Sequence, residues 1–68
     1  MMKVFVVCQG ESGEGAGPIA VFSTKRKAKA FIKRDHPEFK DPVEGLDNTW
    51  TSDKFGVDLI SIQEFEVV

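Results

Sequence analysis

Apolar and polar positions divide the chain into strand-like segments on either side of one helix-like segment. Residues 3–9 are rich in β-branched and aromatic side chains, which predicts a first strand. Residues 18–22 predict a second strand, with a proline at its first position, where a missing N–H is tolerated. Between them, residues 10–17 hold four glycines and predict a long hairpin loop. A short third strand at 49–52 and a last strand at 57–67 complete the pattern.

The last strand has an irregular pattern. It alternates around Ile60 and Ile62, but the apolar parity has shifted by Phe65. Because one extra residue in a strand moves all later side chains to the other face, we predict a bulge or bend near Gln63 and Glu64.

Residues 24–35 have the periodicity of one amphipathic helix. Ser23 is the predicted N-cap, since its hydroxyl can accept from a backbone N–H of the first turn. Pro37 disfavours helical geometry at the residue before it, so the helix is predicted to end near Asp35. Positions at i, i+3 and i+4 spacing form one stripe, whose apolar members are expected to face the sheet: Thr24, Ala28, Phe31, Ile32 and Asp35.

These elements predict an α+β fold of order ββαββ, an antiparallel sheet of three or four strands with one helix packed on one face. Sixty-eight residues form a single domain, 1–68, with a long irregular loop at 36–56. The first strand is apolar on both faces, so the face away from the helix needs a cover: the 36–56 loop, a second copy or a partner. We expect the helix to pack on Val4, Val6, Val21 and Phe65, which leaves Phe5 and Val7 on the other face.

Charge is unevenly distributed along the chain. The net charge is −2, yet the segment from Lys25 to Arg34 contains only positive charges. Cations in the first helical turn oppose the helix dipole at a cost of about 0.3–1 kcal/mol each. A stability cost of this kind can mark a functional surface, so the candidate residues for binding an anion or a partner are Lys25, Arg26, Lys29 and Lys33. Because the domain as a whole is acidic, we favour the simpler interpretation, a solvated face that is balanced by carboxylates such as Asp35, Glu38 and Glu66.

The remaining chemistry-bearing residues form no catalytic constellation. Trp50 is a candidate partner contact, because tryptophan is enriched at binding hot spots, although in a small domain tryptophan is usually a core residue. Cys8 lies within an apolar strand and is expected to be a buried hydrophobe. His36 is expected to cap the helix end rather than act as a base, and the glycine loop lacks the pattern of a phosphate-binding loop. We therefore predict no enzyme activity, no catalytic residue, no cofactor and no metal site.

The order of these segments resembles a family of short uncharacterised proteins encoded by bacteria and their phages. The resemblance rests on the Val21-Phe22-Ser23-Thr24 motif, the Lys-Ala-x-Ala-Phe helix and the terminal segment 62–67. These motifs are structural and imply a fold, with no activity to carry over. Relatives usually have an acidic residue in the first helical turn, where this chain has Arg26.

The function that these observations favour is a non-enzymatic interaction protein, such as a phage or prophage accessory factor that binds a host protein or a second copy of itself. The alternative is a nucleic-acid-binding module that uses the basic helix, 25–34. The apolar run before Gln9 is too short for a secretion signal, and no stretch has the length of a membrane span. We therefore expect a cytoplasmic protein that does not bind membranes.

Overall fold

A computed structural model describes residues 2–11, 15–52 and 58–67. It is an α+β structure with one antiparallel sheet and one helix. The elements in chain order are β1 (Met2–Glu11), β2 (Gly15–Phe22), α1 (Lys25–Asp35), β3 (Asp41–Pro42), β4 (Thr49–Thr51) and β5 (Asp58–Val67). The sheet has five strands, one more than the upper number predicted, because the predicted loop contains the two-residue strand β3.

The strands lie in the order β2-β1-β5-β4-β3, so the last strand of the chain occupies the centre of the sheet. Strands β1 and β5 pair along their whole length, from Met2 opposite Val67 to Glu11 opposite Asp58. Helix α1 connects β2 at one edge to β3 at the other, and it crosses one face of the sheet on the way.

The bulge predicted near Gln63 and Glu64 is wrong. The pairing of β5 with β1 has no register shift, whereas the pairing of β1 with β2 shifts between Val7 and Cys8, where β2 carries the extra residue Ile19. The parity change in β5 has another cause. Its first half is apolar on the side that the helix covers, and its second half is apolar on the opposite side.

The hairpin between β1 and β2 is confirmed, but its paired part is longer than predicted. Gly10 pairs with Ala16 and Glu11 pairs with Gly15, so most of the glycine-rich segment belongs to the sheet. Gly15 enters β2 with a φ of 85°, a conformation that glycine adopts without strain. Residues 12–14, and the turn predicted at 53–56, lie outside the described residues.

The core lies between α1 and the sheet, on the face opposite to the one predicted. Val7 pairs with Ala20 on one side and with Ile62 on the other, and directly paired residues share a face. The buried cluster consists of Val7, Ala28, Ile32, Phe39, Ile60 and Ile62, with Phe5, Ala20, Phe22, Phe31 and Trp50 packed against it. Phe5 and Val7 are thus covered by the helix, whereas Val4, Val6, Val21 and Phe65 face away from it. We call these two sides the helix face and the open face.

The N-cap of α1 is Thr24 and not Ser23. Thr24 has extended backbone angles, and its hydroxyl accepts from the backbone N–H of Lys27 at 3.2 Å. The extended chain of β2 continues to Phe22, which pairs with Phe5, so the helix begins later than predicted. Its predicted end at Asp35 is confirmed, and the N–H of His36 caps the carbonyl of Ile32 at 2.8 Å.

The segment after the helix folds back beneath it through a β-turn. The N–H of Phe39 donates to the carbonyl of His36 at 3.1 Å, with Pro37 at the second position, which its fixed φ favours. The side chain of Phe39 is 5% exposed and completes the core. The described part of the predicted loop therefore supplies a core residue on the helix face.

Candidate functional site

The open face of the sheet is free of charged residues along its three long strands. The charged side chains of β1, β2 and β5 all lie at helix-face positions: Lys3, Glu11, Asp58, Glu64 and Glu66. Lys3 and Glu64, for example, form an ion pair at 3.5 Å on that side. On the open face the corresponding positions are apolar or uncharged.

The apolar residues of the open face are contiguous at one end of the sheet. Cross-strand pairs place Met2 beside Val67, Val4 beside Phe65 and Val6 beside Val21. Met2 and Val21 are 63% and 60% exposed, and Phe65 and Val67 are 50% and 46% exposed. We call these six residues the apolar patch. Single exposed hydrophobic residues are ordinary, but this group is contiguous on one face, so we take it as a candidate interaction surface.

The basic side chains of α1 are exposed, apart from the half-buried Lys25, and most have no acidic partner among the described residues. Arg34 pairs with its neighbour Asp35 at 3.1 Å, and Glu38 lies 3.7 Å from His36. Within the ranges 2–11, 15–52 and 58–67, no carboxylate lies within 4.0 Å of the amino or guanidinium groups of the four candidate residues, Lys25, Arg26, Lys29 and Lys33. The described carboxylates therefore do not neutralise these cations by direct contact.

Two of those four candidates line a groove between the helix and the segment that follows it. The groove has a volume of about 600 Å³ and is lined by Lys29, Ile32, Lys33, Pro37, Phe39, Lys40 and Trp50. We call it the lysine groove. Lys29 and Lys33 flank the buried Ile32 on the helix surface. Trp50 reaches the groove from β4, where it pairs with Ile60 on the helix face.

The lysine groove thus brings together Lys29, Lys33 and Trp50, three of the five residues that the sequence singled out. Lys25 and Arg26 are not among its lining residues. Sequence reasoning missed Phe39 and Lys40, because only the turn after the helix places them under it. The sequence signal that could have predicted this turn is Pro37, because proline favours the second position of a β-turn.

Cys8 and His36, which the sequence analysis also considered, occupy positions in the packed structure. Cys8 is a free, buried thiol. His36 lies between Phe31 and Phe39, with ring centroids 5.4 and 6.2 Å away. In the described part of the chain, no three His, Cys, Asp or Glu side chains are grouped so as to hold a metal ion. The one helix there is too short and too polar to cross a membrane.

Comparison with protein-family models, with curated proteins and with solved structures finds no match to this chain. The resemblance to short bacterial and phage proteins therefore stays a prediction.

Proposed function

We propose that the protein is a non-enzymatic interaction protein that binds a second copy of itself through the open face of its sheet. The single observation that carries this proposal is the combination of the apolar patch with the absence of charged residues from the open-face positions of β1, β2 and β5. A chain with a net charge of −2 has placed every charge of its three long strands on the other side. The accessory role in a phage or prophage rests on the sequence resemblance alone and stays a prediction.

A second copy suits the open face because the long strands β1, β2 and β5 place no charge there, and Asp41, which is at an open-face position, lies in the edge strand β3. In a two-fold symmetric dimer the same patch packs against itself, so a charged residue near the two-fold axis would lie close to its own copy. The apolar patch avoids this repulsion. Two such sheets can stack about 10 Å apart, with their side chains interdigitating, and the helices then lie on the two outer surfaces.

The apolar patch is small, so we expect a weak dimer. Complete burial of an exposed aliphatic or aromatic side chain contributes about 1.5–3 kcal/mol. The four most exposed patch residues are about half exposed, so each can still contribute on the order of 1 kcal/mol per copy. Association itself costs an estimated 4–15 kcal/mol. The gain and the cost are comparable, and the dimer should therefore dissociate on dilution.

Sedimentation velocity over a wide concentration range tests this proposal. The unmodified chain should shift from monomer to dimer as its concentration rises, and Val21→Lys should stay monomeric at every concentration. Leu46→Lys is the matched control, because Leu46 is 52% exposed but lies in the turn between β3 and β4, outside the apolar patch. An unmodified chain that remains monomeric in the millimolar range, or a Val21→Lys variant that dimerises normally, would refute self-association through this face.

A second candidate function is nucleic-acid binding by the basic helix. The observation that favours it is the exposure of Arg26, Lys29 and Lys33 without a carboxylate within 4.0 Å among the described residues. Phosphate contacts would make the affinity for a random-sequence DNA duplex fall by roughly 0.9 log units per log unit of salt for each phosphate neutralised. If the chain does not bind the DNA duplex at low salt, nucleic-acid binding is refuted as its function.

A further inference from the structure

We infer that the lysine groove is a binding site for a small organic anion, with a flat apolar body and one phosphate or carboxylate group. This site is separate from the open face, since it lies on the other side of the sheet. Its volume of about 600 Å³ falls within the range of roughly 300–1,000 Å³ that is typical of ligand sites.

The floor of the groove is apolar and already in place. Ile32 and Phe39 are 4% and 5% exposed, and Trp50 is half-buried. Phe39 is held by the turn that starts at His36 and by edge contact with the His36 ring. A planar ligand would therefore meet side chains whose positions the fold has fixed, so little ordering is needed on binding.

Three lysines line the groove around this apolar floor. Lys29 and Lys33 belong to α1, and Lys40 belongs to the segment that leads into β3. All three are exposed, and across the three described ranges none has a carboxylate within 4.0 Å. An anionic group at the rim would gain attraction from all three without displacing an existing ion pair.

The surroundings favour a small anion over a polymer. An exposed carboxylate, that of Glu38, immediately precedes Phe39 in the chain. Its charge would repel the successive phosphates of a strand that extends beyond the groove on that side. We therefore favour a small anion as the occupant.

Titrations that follow Trp50 fluorescence test this inference directly. Trp50 is the only tryptophan and the chain has no tyrosine, so excitation of tryptophan reports on the groove itself. The probes are phenyl phosphate and phenylacetate, with benzylamine and benzyl alcohol as cationic and neutral controls. Both anions, or one of them, should bind saturably, whereas the two controls should bind at least tenfold more weakly, because they lack the charge attraction. The comparison of the two anions shows whether phosphate or carboxylate is preferred.

Paired variants locate the site on the helix. The double variant Lys29→Gln, Lys33→Gln should weaken binding of the preferred anion by about tenfold or more, since it removes two of the three cations. The control Lys25→Gln, Lys27→Gln removes the same charge from the same helix outside the groove, and it should change the affinity by less than about twofold. Circular dichroism should show that both variants keep the fold.

Three results would overturn the inference. One is equal binding of the anionic and cationic probes. Another is an equal affinity for inorganic phosphate and phenyl phosphate, because the apolar floor would then contribute nothing to binding. The third is much tighter binding of a single-stranded oligonucleotide than of the small anions, with an equal loss of oligonucleotide affinity in both double variants. That result would assign the basic helix to nucleic-acid binding instead.

Discussion

Replacement of Ile60 by alanine should be far more costly than the same replacement at Ile19. Ile60 is fully buried in the central strand β5, whereas Ile19 is 44% exposed at the bulge of the edge strand β2. Both changes delete the same atoms from a strand, so they cause a similar loss of β propensity. The difference between the two losses in unfolding free energy therefore measures the effect of burial.

The expected magnitude follows from the position of Ile60. The change to alanine removes three carbon atoms, which at about 0.8 kcal/mol each is about 2.4 kcal/mol of lost transfer free energy. The cavity between α1 and the sheet adds to this, and the total should be about 3–4 kcal/mol, inside the usual range of 2–5. At Ile19, where about half of the side chain remains in solvent, we expect about 1 kcal/mol.

Urea unfolding followed by circular dichroism, at a concentration low enough to keep the chain monomeric, measures both values. A domain of this size has only a few kcal/mol of stability, so Ile60→Ala can fail to fold. The pair Ile60→Val and Ile19→Val then provides a milder comparison, with about 0.5–1.5 kcal/mol expected at the buried site and near zero at the exposed one. Equal losses at the two positions would refute the assignment of the core to the helix face.

Two further predictions concern backbone geometry. Lys27→Glu should raise the free energy of unfolding by about 0.5–1 kcal/mol, because it removes a cation from the first turn and completes a capping box with Thr24. Arg26→Glu should gain the dipole contribution only, so a larger rise in melting temperature for Arg26→Glu would contradict the observed cap. Gly45→Ala should destabilise the fold by about 1 kcal/mol, because Gly45 has a φ of 83° at the third position of the Val43–Leu46 turn. Gly17→Ala, where a methyl group meets nothing within 4 Å, should be close to neutral in the same thermal melts, and equal effects at the two glycines would contradict the turn geometry.

The sequence predicted the elements well and their faces poorly. The apolar stripe of the helix, the proline that ends it and the hairpin all follow from local rules, and the structure contains them. The face of the sheet that the helix covers depends on cross-strand register, which local rules do not specify when a strand is apolar on both sides, as at Val4 to Val7. The change in apolar parity before Phe65 is the one sequence feature that indicates this difficulty. It arises because the first half of β5 packs under the helix, whereas the second half has its apolar side chains on the open face.

The candidate site was predictable only in part. Lys29 and Lys33 are candidates because of their charge and Trp50 because of its residue type, and no local pattern indicates that the three share one groove. Their convergence depends on the return of the chain at Pro37 and on the pairing of β4 with β5, which are contacts between distant segments. The N-cap was misplaced by one residue because Ser23 and Thr24 are both good caps, and only the extent of β2 decides between them.

The central position of β5 has a consequence for how the sheet assembles. Strands β1 and β2 on one side, and β3 and β4 on the other, are joined within the sheet only through β5. The pairing of Met2 with Val67 links residues at nearly the largest sequence separation that the chain permits, and such contacts make folding slow. During synthesis the helix and the first hairpin can form early, but the core acquires Ile60 and Ile62 only after the last strand leaves the ribosome. Cooperative folding is therefore expected to wait for β5, and removal of residues 58–67 should leave two hairpins without a common sheet.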